Sequence, residues 1–107
     1  MKSLILSLLF FTVTAHGATF TINTKILKIR TVSDFNPVTT ARNNIPFQVT
    51  GPLEGGCSWL YFSATNKDSY SLILAAKMAD KTIGIQYSDA PSPWHAGTCQ
   101  VHHLDLD

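Results

Sequence analysis

The residues with the most chemistry in this sequence crowd its C-terminal end. His95, His102 and His103 stand there with Asp105 and Asp107, imidazoles and carboxylates of the kind that hold a zinc or copper ion. Their spacing limits what they can do. His102 and His103 are neighbours in a stretch that reads as β-strand, so a regular strand sends them to opposite faces and one ion cannot take both. His103 and Asp105 share a face, and His95 reaches either from a loop. That makes pairs, whereas a zinc site needs three or four converging ligands. His103 and Asp105 are therefore only weak metal candidates, against plain solvated strand polarity. The sequence predicts no resident metal and no other cofactor.

The neighbouring segment SDAPSPWHAGT, 88–98, is the most binding-like part of the chain. It sets Trp94 beside His95 among prolines, serines and glycine on what reads as an exposed loop, where binding residues concentrate. An indole offers a flat apolar face to the C–H face of a sugar, while polar neighbours take its hydroxyls. Trp94, His95 and Ser92 are the candidate ligand-binding residues. The plainer alternative has Trp94 folding back to plug one end of the domain. Trp59, inside an apolar strand, reads as core. No catalytic residue is assigned, because GxSxG, P-loop and HExxH patterns are absent. Asp34, Glu54, Asp68, Asp80 and Asp89 fall in predicted turns and helix ends, where acidic residues are expected anyway. With 8 Lys+Arg against 7 Asp+Glu, the chain lacks the positive charge that nucleic-acid binding needs. Lys25 is also out of parity with Lys28 and Arg30, so the three make no single basic face.

Residues 1–18, MKSLILSLLFFTVTAHGA, hold one lysine, an apolar run over 4–13 and then small residues, the pattern of a secretory signal peptide. The run is about ten residues, against about 20 for a membrane span, so no span is predicted. Cleavage after 15, 17 or 18 leaves a single domain of about 90 residues, nominally 19–107, in the periplasm or outside the cell. Loss of Lys2 with the leader brings the charge balance to zero. Cys57 and Cys99, the only cysteines, then meet an oxidising compartment and pair as one structural disulfide. They form no CxxC, and no flanking cation lowers a thiol pKa. Closing that loop is worth about 3–4 kcal/mol in the chain-entropy model.

Five strands and one helix must position these groups. The first strand, 20–33, carries apolar Phe20, Ile22 and Ile26, then changes parity to Leu27 and Ile29. Such a change demands a bulge or bend that lets one strand serve two faces. A loop over 34–44 leads to a strand at 45–50, a Gly/Pro turn, and a third strand at 57–63 that is apolar on both faces. The helix is placed at about 66–80, with Thr65 and Asp68 as its capping pair. Strands at 82–88 and 98–106 flank the Trp94 loop. On the helix, Leu72, Ala76 and Ala79 form a stripe beside Ala75, and Leu74 and Met78 widen it. An arc this wide fits either a well-buried helix or one that also meets a neighbouring subunit. Tyr70, Ile73 and Lys77 are the candidates for that contact.

The order β-β-β-α-β-β with a bent first strand is that of the OB-fold, a Greek-key barrel that binds oligosaccharides or oligonucleotides on one face. The expected fold is thus β-rich α+β, a five-stranded OB-like Greek-key barrel with one helix and one disulfide. From Cys57 to Leu106, where an Ala-rich LAAK helix runs into an Ile-rich strand, the chain resembles small exported bacterial proteins. Similar architecture occurs in the pentameric B subunits of AB-type toxins, such as the subtilase-cytotoxin and pertussis-like group. The resemblance implies an OB-fold, a helix at the subunit interface, a pentamer-like homo-oligomer and host glycans as ligands. It matches no sugar-contacting residue of that group to a position here. A mature start at His16-Gly17 resembles secreted copper oxygenases of polysaccharides, which chelate copper through an N-terminal histidine. Three functions stand as expectations: an exported, non-enzymatic, oligomeric glycan-binding module; a monomeric periplasmic protein that binds or inhibits another protein; or a small metal-binding protein or enzyme using the C-terminal histidines.

Overall fold

The computed structural model describes residues 18–106. The predicted leader lies outside them apart from Ala18, as do His16 and Asp107. The elements are β1 (Thr19–Thr24), β2 (Ile26–Ile29), a 3-10 turn (Thr39–Ala41), β3 (Asn44–Val49), β4 (Trp59–Ser63), α1 (Lys67–Met78), β5 (Ile83–Ser92) and β6 (His95–Asp105). They form one six-stranded mixed sheet in the order β1-β5-β6-β4-β3-β2, with β4 and β6 parallel and every other pair antiparallel.

The predicted five strands become six because the first is cut at Lys25. Its N-terminal half pairs with β5 and its C-terminal half with β3, so consecutive segments sit at the two ends of the ladder. In place of the expected five-stranded OB-like barrel stands a six-stranded sheet that is not closed by hydrogen bonds between those ends. The bend is fastened from the side. Buried Thr24 accepts the Gly51 N–H on its hydroxyl at 2.8 Å, and Thr50 donates its N–H to the Lys25 carbonyl at 3.0 Å. The register irregularity falls between Ile26 and Lys28, where the parity change in the sequence requires it.

Alternation then builds the core. Ile45, Phe47 and Val49 of β3, Leu60 and Phe62 of β4, and Ile83, Ile85 and Tyr87 of β5 all point inward, together with the Cys57–Cys99 disulfide. The helix closes this core, spanning Lys67–Met78 within the predicted 66–80. Asn66 is its N-cap and makes no side-chain cap bond; the Thr65 hydroxyl is taken by Ser63 at 2.9 Å, so the predicted Thr65/Asp68 capping pair does not form. Ile73, 0% exposed, and Ala76 face the sheet, with Tyr70 and Leu72 partly buried beside them. This removes Ile73 from the proposed outer contact face: the helix is rotated so that Leu74 (37% exposed) and Met78 (86%) look outward instead, while Lys77 stays exposed. No helix among the described residues is long and apolar enough to cross a membrane.

Candidate functional site

Because side chains alternate along β4, burying Leu60 and Phe62 turns Trp59 and Tyr61 outward. Neither is left bare. The Arg30 guanidinium, just past the end of β2, lies 4.5 Å from the Trp59 ring centre, a cation–π arrangement. The Trp94 ring meets Tyr61 edge-on at 4.9 Å between centroids. Burial pushes the Tyr61 phenol above its ordinary range, so it stays a neutral hydroxyl at physiological pH.

Between these groups runs a cleft of about 300 Å³. Trp59 and Trp94 form part of its wall, Pro46 and Thr98 come from the sheet, and Val32, Asn36, Val38 and Ala41 come from the β2–β3 loop. Among the described residues of the lining, Arg30 is the only charged group, His95, Asn36 and Thr98 are further polar side chains, and none is a carboxylate. Such a site combines stacking surfaces with a few hydrogen-bonding groups, the usual make-up of a small-ligand pocket. The loop is held in shape by its own polar groups. Val38 donates its N–H to Asn36 Oδ1 at 2.9 Å, and Arg42 Nε donates to the Asn36 carbonyl at 2.7 Å. Phe35 stands 93% exposed on the same loop.

The segment 89–97, expected to be a loop, is mostly strand: β5 runs to Ser92, β6 starts at His95, and only Pro93 and Trp94 turn between them. A two-residue hairpin favours positive φ in its turn, which proline forbids and Trp94 does not adopt, so the strands need extra fastening. Ser92 supplies it, donating its hydroxyl to the His95 carbonyl at 2.9 Å and accepting the His95 N–H at 3.0 Å. Ser92 is therefore a buried turn residue that does not line the cleft. Trp94 and His95 do line it.

Several lining residues escaped the sequence reading. Trp59, read as core, is half-buried at the surface cleft, and Arg30, Asn36 and Thr98 were not singled out as ligand contacts. The shared parity of Trp59 and Tyr61 was the available signal.

The C-terminal histidines are elsewhere. A bulge at His102 shifts the register between Gln86–His103 and Tyr87–Val101, and both histidines are exposed. His102 Nδ1 lies 3.4 Å from Gln86 Oε1, and His103 Nε2 lies 3.6 Å from Asp105 Oδ2. His103 and Asp105 line a separate polar groove with Asn23 and Gln86. Among the described residues, no three His, Cys, Asp or Glu side chains converge as a metal site would require.

Comparison of the chain with protein-family models, curated proteins and solved structures returns no match.

Proposed function

We propose that the protein is an exported, non-enzymatic binding module with an OB-like architecture that takes a carbohydrate in the Arg30–Trp59–Trp94 cleft. The observation that carries this reading is the convergence of two indoles and one guanidinium, from separate strands and loops, on one cleft without a carboxylate. Stacking faces for sugar rings and donors for hydroxyls are what a glycan needs. The split first strand, which pairs with both β5 and β3, supports the OB-like reading. So does the position of the cleft between the β2–β3 and β5–β6 connections, the two loops that bracket ligands in that fold. The disulfide supports export to an oxidising compartment.

Exposed Leu74 and Met78 on α1 support a homo-oligomer, ring-like as in the toxin subunits that the sequence resembles. Phe35, exposed on the β2–β3 loop, favours the second reading, a protein ligand, since exposed aromatics anchor protein contacts.

A glycan array probed with the wild type, Trp59→Ala and Trp94→Ala tests the first reading. Binding by the wild type that both variants lose supports it; an array blank for the wild type overturns it. Solution mass tests the ring, which a monomer overturns.

A further inference from the structure

The strand that leaves the Trp94 turn is tied to the His95 ring through an acceptor that a proton can remove. We propose that His95 is a positioning residue: its neutral imidazole fastens the turn that presents Trp94, so the cleft is formed while His95 is unprotonated and loosens when it takes up a proton. This rests on the cleft being the binding site and adds its regulation.

The geometry is specific about which nitrogen does the work. Gly97 donates its backbone N–H to His95 Nδ1 at 3.1 Å, and the buried Thr98 hydroxyl lies 3.3 Å from the same nitrogen. An amide N–H can only donate, so Nδ1 must be the bare nitrogen and the ring proton sits on Nε2. Gly97 cannot easily look elsewhere. A Cβ there would lie 3.0 Å from Ser58 Oγ and 3.1 Å from His95 Cε1, so Ser58, just before β4, and the imidazole both crowd this glycine. Its carbonyl also accepts the Ser58 N–H at 2.8 Å, which ties the same residue to the chain entering β4. His95 thus has two fasteners, one across the turn to Ser92 and one to Gly97 and Thr98 further along β6. One, the Ser92 hydroxyl, is insensitive to pH. The other is His95 Nδ1.

Protonation turns Nδ1 from an acceptor into a donor and sets two N–H groups against each other. It also places a second positive charge in a cleft whose one charged lining residue is Arg30. From the other elements around the cleft come the neutral Tyr61 phenol of β4 behind Trp94, the uncharged Ser92, Thr98 and Asn36, and Arg42, which holds the Asn36 carbonyl. None offers a carboxylate to receive the new N–H. Loosening follows when the ring takes up its second proton.

The test reads the unliganded protein by residue-resolved NMR between pH 8 and 5, so it is independent of any glycan. In the wild type, the Gly97 amide and the Trp94 indole N–H signals are expected to shift with the same midpoint as the His95 ring. In His95→Asn, whose amide oxygen takes the place of Nδ1 and does not titrate, both signals stay at their high-pH positions throughout. His103→Asn leaves the wild-type behaviour intact. Gly97 and Trp94 signals that ignore the His95 titration, or that still titrate in His95→Asn, overturn the proposal. A blank glycan array would sink the carbohydrate reading and leave this result standing.

Discussion

On the inner face of β4, Leu60 and Phe62 are sealed by strands and helix; on its outer face, Trp59 and Tyr61 are each covered by one side chain brought from far along the chain. The four residues are alike in being apolar, and the strand's periodicity treats both faces alike. What differs is the covering. Inside, many neighbours contribute, so each side chain is fixed by volume. Outside, Arg30 and Trp94 touch the aromatic rings singly and leave a cleft between them. One face is organised for stability and the other holds surface that a ligand can use.

Substitutions on the two faces should separate those roles. The largest effect is expected inside: Leu60→Ala should cost about 2–5 kcal/mol in denaturant unfolding, because the fully buried site cannot collapse around the loss. Trp59→Ala, one residue away, should cost only about 1 kcal/mol, the scale of an exposed cation–π contact, while removing a stacking face. Equal losses would erase the distinction. Gly97→Ala lies between the two, at about 1–3 kcal/mol, because its new methyl group meets Ser58 and His95. The smallest effect is alkaline. Burial favours the protonated Tyr61 phenol in the folded state, so stability should hold below the ordinary phenol value of about 10 and decline as pH rises past it. Tyr61→Phe should flatten that decline, which unfolding curves at pH 8 and 11 would show.

These expectations depend on contacts that the sequence expresses unevenly. Cys57 and Cys99 could be paired on paper because no other cysteine competes. The parity change at Ile26 and Leu27 announced the irregularity in β2, since alternation is a property of the strand itself. The face that α1 turns to the sheet was misread because its apolar residues run nearly all the way round. Ile73 was chosen by the sheet beneath it, which no helical wheel contains. Trp59 was misplaced for a related reason. A strand pattern says that alternate residues part company, yet it cannot say which set will be covered by a whole core and which by a single arginine. Ser92 and the histidine bulge were hidden by local departures from regular pairing that leave little trace in composition.

The chain contains two tryptophans, and both line the proposed cleft, so its intrinsic indole fluorescence is a reporter of that site alone. The most direct measurement is therefore a fluorescence titration of the wild-type protein with a glycan that binds it. A saturable change in tryptophan emission, with a midpoint matching the binding curve, is predicted. Binding that saturates while the emission stays unchanged would place the ligand elsewhere and contradict the account.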